Sequence, residues 1–367
     1  MKKIIIAPDS FKETMSNIEV ANVIYNCLKT KYPEYDYKVM PVADGGEGSL
    51  NAIMNDNNMD SFICNNANME ACEIKYGILN NCGIVEVAEN IGYKHKREYS
   101  HPNNTTSYGV GEVIKEIITK GIKKIYICLG GTITNDGGCG LASALGVKFY
   151  DDNNHEFIPV GHTLKKISKI DNSHYLECYK DITIIGLCDV INPLYGKNGA
   201  SYIYAPQKGA DEQEVEELDY GLRQLEKVVL KDLKIDVANH PGSGAAGGLG
   251  YAILSFLNGK LQKGIQTILS IMEFNKKLDN DTIIITGEGK LDSQSMQGKV
   301  IDGIIRIARK KNVPVIVVVG TYEGKLEDYY NMGIDKLIVT NPDNIPFEVV
   351  KQICKEQLKE AIDKLKI

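Results

Sequence analysis

The sequence of 367 residues contains no tryptophan and seven phenylalanines, and only four of its cations are arginine: Arg97, Arg223, Arg306 and Arg309. Its 42 Lys+Arg against 48 Asp+Glu give a formal net charge of -6, with no basic block. The cationic, aromatic-studded face that nucleic-acid binding uses is therefore missing, and no nucleic-acid partner is expected. No apolar stretch approaches the ~20 residues of a membrane span, so no membrane partner is expected either; the longest, residues 313–319, contains Pro314. The apolar run after Met1 is too short for a signal-peptide core, and no small-residue cleavage site follows it. Nine cysteines, odd in number and without a CxxC pair, argue against a disulfide framework or a zinc site. No GxxxxGK[ST] occurs, which excludes a P-loop, and the protein-kinase signature set is absent. The six histidines form no HExxH and no i,i+4 pair. A soluble, cytoplasmic protein is the expectation.

What is present is a rhythm of short β-branched runs that stop at Gly- or Asp-bearing loops. They cover residues 3–7, 37–41, 124–129, 182–187, 282–286, 313–319 and 336–339. Continuous apolar runs of this length predict buried strands, because a strand covered on both faces has no polar side to show. Helical patterns lie between most of them. Ser16 and Glu19 have capping-box spacing, and Ile18, Ala21, Ile24, Tyr25 and Leu28 share one face behind them. Alternating strands and helices predict a largely parallel sheet between helix layers. Residues 60–64, 72–79 and 84–88 read differently, as strands whose connections (65–71 and 80–83) are too short for parallel crossovers. The expected fold class is α/β: a discontinuous flavodoxin-like, parallel-sheet domain over residues 1–60 and 265–367, with a mixed α/β domain inserted over 61–264.

In open α/β sheets, ligands bind at the carboxyl ends of the strands. This sequence loads that edge with acids: Asp9, Asp44, Asp136, Asp189, Glu288 and Asp292 all lie within a few residues of an expected strand end. One acid in one turn is ordinary turn chemistry. Five such loops predict a shared acidic, glycine-lined pocket on one rim. Paired glycines in ADGGEG (residues 43–48) and GGTITNDGG (130–138) let backbone approach a ligand, and each loop precedes a candidate helix whose free amides favour an anion. Gly45, Gly46, Gly130 and Gly131, with Gly287 and Gly289 of GEGKLD, are the candidate nucleotide or phosphate positions. GSGAAGG (242–248) contains a formal GxGxxG but follows no strand; phosphate binding and close helix packing are both open to it. Lys12 is the best-placed cation. Lys208 and Lys299 are second choices, each expected to be a solvated surface residue. The acids suit Mg²⁺, an oxygen-seeking ion that bridges carboxylates to substrate phosphates.

Eight ordered motifs then resemble the class I glycerate kinase family: APDSFK, PVADGGEG, TTSYGVGE, GGTITNDGG, CDVINPL, PQKGA, PGSGAAGGLG and TGEGKLDSQ. The match is collinear and covers nearly the whole chain. The resemblance implies ATP- and Mg²⁺-dependent phosphorylation of glycerate, with 2-phosphoglycerate as the usual product, in a cleft between two α/β domains. Position within these motifs makes Asp189 the candidate general base, with Asp44 as the alternative. Lys12 falls to the transferring phosphate or the glycerate carboxylate. Ser10, Thr106, Asn135 and Asp136 are candidate substrate contacts, and Asp292 or Asp9 would hold the metal.

Overall fold

The structure is a computed structural model, and it describes residues 2–55, 57–292, 295, 299–343 and 345–367. The end of the last motif, Ser293 and Gln294, lies outside the described residues, as does Gly298. The chain divides into two compact units: residues 1–44, 51–56 and 263–367 in one, 45–50 and 57–262 in the other.

The first unit is built on a five-stranded, wholly parallel sheet. Its strands run Lys336–Val339, Val315–Tyr322, Thr282–Leu291, Lys3–Ile6 and Asp36–Val39 across the sheet. In chain order this is 2-1-3-4-5. Ile4, Ile6, Ile285 and Val318 from the strands pack with Val20, Ile24 and Leu28 of the Asn17–Lys31 helix and with Leu358 and Ile362 of the Phe347–Asp363 helix. Each such side chain, fully withdrawn from water, contributes roughly 1.5–3 kcal/mol. Ser16 caps the first helix as its spacing predicts, accepting the Glu19 amide while Glu19 returns to the Ser16 amide. The buried face differs from the expected one: Val20 and Val23 point inward, and Ile18 is exposed.

One strand overruns its expected end. Residues 287–291 do not form the expected loop but continue the Thr282–Leu291 strand, with Lys290 and Leu291 paired to Thr321 and Tyr322. Gly287 permits this, since a Cβ there would lie 2.0 Å from the Val318 carbonyl oxygen of the neighbouring strand.

The second unit has a six-stranded mixed sheet in the order Lys260–Gln262, Thr183–Leu187, Lys124–Cys128, Cys82–Glu86, Ala71–Leu79, Asp60–Asn65. The last three strands pair antiparallel, as their short connections require. The turn between the second and third is tighter than the spacing implied. Leu79 pairs directly with Cys82, leaving only Asn80 and Asn81, both at positive φ (51° and 58°), the two-residue hairpin geometry that Asn tolerates. A small sheet of Glu156–Phe157, Lys148–Tyr150 and Lys169–Asp171 adds strands with no sequence forecast. Ile125, Ile127, Ile184, Leu249, Ile253 and Phe256 are among the residues at the centre of the core. All nine cysteines are free. Among the described residues, no helix is long and apolar enough to cross a membrane.

Candidate active site

The six acids expected on one rim divide between two sheets. Asp9, Asp44, Glu288 and Asp292 belong to the first unit, Asp136 and Asp189 to the second.

In the first unit, Asp9 follows the Lys3–Ile6 strand by three residues, its amide bonded to the Gly287 carbonyl at 2.8 Å. The Ser10 amide donates to Asp9 Oδ1 at 2.7 Å. The Asp9 carboxyl is pushed up to about 8, first by burial and then by the Asp44 carboxylate, with Glu288 adding to the effect and Lys12 opposing it. Glu288, only 8% exposed, is pushed up to about 7 by burial, with Ser295, Lys299 and Lys12 opposing. Asp44, Glu288 and Lys12 thus all act electrostatically on Asp9, and Lys12 and Asp292 act on Glu288. Asp292 also exchanges hydrogen bonds with Ser295, at 3.1 and 3.0 Å. Lys12 projects from a tight loop closed by reciprocal Phe11–Met15 backbone bonds of 2.9 Å, and it is exposed. Glu288 was visible in sequence as an acid near a strand end. Its weight comes from burial, which its own tripeptide does not announce.

In the second unit, both loops expected to offer free amides to an anion already hold one. Glu86 ends the Cys82–Glu86 strand, is 4% exposed, and accepts the Gly48 amide at 2.9 Å and the Leu50 amide at 2.8 Å. Those amides open the Ser49–Met54 helix. Burial pushes the Glu86 carboxyl up to about 7, against the two amides that favour its charged form. At the second loop the anion is Asp136 itself. Its carboxylate accepts the Ser107 amide and hydroxyl, both at 2.7 Å, and the amides of Gly138 at 3.0 Å and Gly140 at 3.2 Å. Asp136 is fully buried, and burial holds its pKa above the ordinary value despite those four donors. Asp136, expected as a substrate contact, is engaged by four donors of its own surroundings and so organises the loop. Thr106 is likewise only 2% exposed; its hydroxyl accepts the Tyr108 amide at 3.3 Å, and a Cβ on Gly140 would stand 2.2 Å from it.

The two glycine loops pack against each other, since a Cβ on Gly130 would lie 2.8 Å from the Cα of Gly46. GSGAAGG is also a packing device. Gly247, at φ 69°, brings its segment so close to the 134–137 backbone that a Cβ would stand 2.1 Å from the Thr134 carbonyl oxygen. The Gly137 amide bonds the Gly247 carbonyl at 3.0 Å.

Asn135 donates to Ser201 Oγ at 3.1 Å, and no described group hydrogen-bonds its buried Oδ1. Asp189, half-buried, follows the Thr183–Leu187 strand, whose neighbour Lys124–Cys128 leads into Gly130 and Gly131. Lys208 is not the solvated residue expected. It is 3% exposed, and its Nζ donates to the Thr134 carbonyl at 2.7 Å. Its signal in the sequence was indistinguishable from that of any surface lysine before a glycine.

Acids and a lysine at the ends of parallel strands, with glycine loops beside them, are the equipment of an α/β kinase, and the comparisons with known proteins agree on that class. The glycerate kinase family model matches residues 4–366, and the chain belongs to that family. It is similar to glycerate 2-kinase of Escherichia coli K12, 38% identical over 91% of this chain and 89% of the relative. It is also similar to glycerate kinase of Bacillus cereus, 35% identical over 97% of this chain and 95% of the relative. A crystal structure of a Salmonella typhimurium LT2 protein assigned as glycerate kinase 2 superposes with a TM-score of 0.83 at 32% identity, covering 99% of this chain and 96% of that one.

Proposed function

We propose that this enzyme transfers the γ-phosphoryl group of ATP to glycerate in a Mg²⁺-dependent reaction that yields 2-phosphoglycerate. Family membership supports the reaction class, and the relative named as a 2-kinase supports the position of transfer. The observation that carries the chemistry is the gathering of Asp9, Asp44 and Glu288 beside Lys12. Two of these carboxyls are raised by burial and by neighbouring carboxylates, Asp9 by Asp44 and Glu288 and Glu288 by Asp292, as in a site prepared to receive positive charge.

The donor set there is entirely oxygen, which suits Mg²⁺. Among the described residues no group of three His, Cys, Asp or Glu side chains could hold a metal unaided. Mg²⁺ commonly takes one or two carboxylates and completes its shell with phosphate and water. Asp9 and Asp292 would hold it. When bound it supplies charge neutralisation to the phosphates.

Phosphoryl transfer needs positioning and electrostatic stabilisation more than covalent chemistry. Asp189 accepts the proton from the glycerate hydroxyl, with Asp44 as the alternative base. Lys12 offsets charge on the transferring group, and Ser10 hydrogen-bonds substrate. Asn135 accepts a hydrogen bond from the hydroxy acid through Oδ1, while Asp136 and Thr106 hold its loop. Gly45, Gly46, Gly130, Gly131, Gly287 and Gly289 are the positions we assign to nucleotide or phosphate binding. We read the five-stranded unit, with its 2-1-3-4-5 order, as a flavodoxin-like domain of residues 1–60 and 265–367 carrying 61–264 as an insertion.

Coupled measurement of ADP release with D-glycerate, ATP and Mg²⁺ tests the activity, and phosphorus NMR of the product reads its position. ADP release no greater than with ATP alone would overturn the proposal.

A further inference from the structure

Ser201 and Lys208 lie seven residues apart in the Ala200–Lys208 helix, two turns, so they face the same way. That face grips one loop at two points. Ser201 Oγ accepts Asn135 Nδ2 at 3.1 Å, and Lys208 Nζ donates to the Thr134 carbonyl at 2.7 Å and reaches Thr132 Oγ1 at 3.4 Å. Ser201 is fully buried and Lys208 is 3% exposed.

Burying an ammonium is costly unless it is paired, and among the described residues no carboxylate forms an ion pair with Lys208. Asp136 acts on it through space, but that carboxylate is already committed to four other donors. The other titratable groups nearby meet the backbone at the helix end: Lys96 Nζ donates to the Lys208 carbonyl at 3.1 Å, and His101 Nε2 lies 2.9 Å from the Gly209 carbonyl oxygen. The C-terminal end of the helix offsets part of the cost of a cation. A methionine would fill the space with no such cost, so the charge has a use beyond filling.

We propose that Lys208 is a positioning residue of the phosphoryl-transfer site: a charged clamp that, with Ser201, holds the 132–135 backbone so that Asn135 presents Oδ1 to the hydroxy-acid substrate. The unpartnered, buried Asn135 Oδ1 is the acceptor such a clamp would hold ready. This inference rests on the reading of that loop as the glycerate contact. Burial pulls the Lys208 ammonium down to about 7, so the clamp is charged below neutral pH and loses its charge above it.

The test is steady-state kinetics of the full-length enzyme from pH 5.5 to 9, comparing wild type, Lys208→Met, Lys208→Arg and Ser201→Ala. Lys208→Met is expected to raise KM for glycerate on the order of 10²-fold, as a misplaced contact does, with KM for ATP unchanged. Wild-type kcat/KM for glycerate should fall as pH rises through about 7. Lys208→Arg, which keeps its charge throughout, should lack that fall, and Ser201→Ala should keep it. Wild-type KM for glycerate in Lys208→Met, or the same alkaline fall in Lys208→Arg, would overturn the proposal. If Lys208→Met does not fold, the pH profiles of the arginine and Ser201→Ala variants decide. A wild type that releases no ADP with glycerate would defeat the functional reading and this inference together; normal wild-type turnover with unaffected variants would defeat this inference alone.

Discussion

Ser107 donates both its backbone amide and its hydroxyl to the same carboxylate oxygen of Asp136, each at 2.7 Å. Gly138 and Gly140 complete the set of donors. An acid that looks like a substrate ligand in sequence is thereby the anchor of the helix that follows it, Cys139–Ala144.

Asp136→Ala would leave those donors buried and unsatisfied. At roughly 1–3 kcal/mol for each unsatisfied group, a loss of at least ~3 kcal/mol is expected. Chemical denaturation checks it. A denaturation midpoint equal to wild type, with a defect confined to glycerate KM, would return Asp136 to direct substrate contact.

Glu86 makes the same kind of anchor for the Ser49–Met54 helix, and Glu86→Ala should cost roughly 2 kcal/mol or more for two orphaned amides. Its pH behaviour has a definite sign. The folded-state value near 7 lies above the ordinary 4.5, so the folded state holds the extra proton between those values. The Glu86 contribution to stability is fully present below about 4.5 and is lost as pH rises through about 7. Stability measured across that window should fall less steeply in Glu86→Gln than in wild type; parallel curves would refute the assignment.

Gly247→Ala is expected to destabilise the second unit. Its left-handed backbone alone costs a side chain roughly 1–2 kcal/mol, and the Cβ would also collide with the Thr134 carbonyl, 2.1 Å away. Thermal unfolding reads this directly, and an unchanged Tm would show that the 242–250 segment is not packed as described.

Asp189→Asn should lower kcat on the order of 10²–10⁴-fold, the usual worth of a positioned base, while the unfolding transition stays near that of wild type. Near-normal turnover would move the role to Asp44, and Asp44→Asn measured in parallel would then show the loss.

Much of the fold was legible because it rests on local pattern. The β-branched runs became strands, the Ser16 cap formed, and the short middle connections produced antiparallel pairs. Errors fell where neighbours in space decide. The Thr282–Leu291 strand runs on through its glycines because an adjacent strand supplies partners. Ile18 lies outside the buried face because the surrounding elements set which stripe of the helix turns inward.

The candidate site divides in the same way. Asp9, Asp44 and Lys12 could be named from their loops, and Asp44 and Lys12 both act electrostatically on Asp9. The spent condition of Asp136, the task of Glu86 and the burial of Lys208 could not be named, because each depends on partners far along the chain: Ser107, Gly48 and Thr134. Sequence alone determined the α/β class and the family, since periodicity and ordered motifs are properties of the chain read in one direction. Only the tertiary structure decided which charges are already satisfied and which are left for a ligand, because desolvation and hydrogen bonding are settled by whatever three-dimensional packing places around each group.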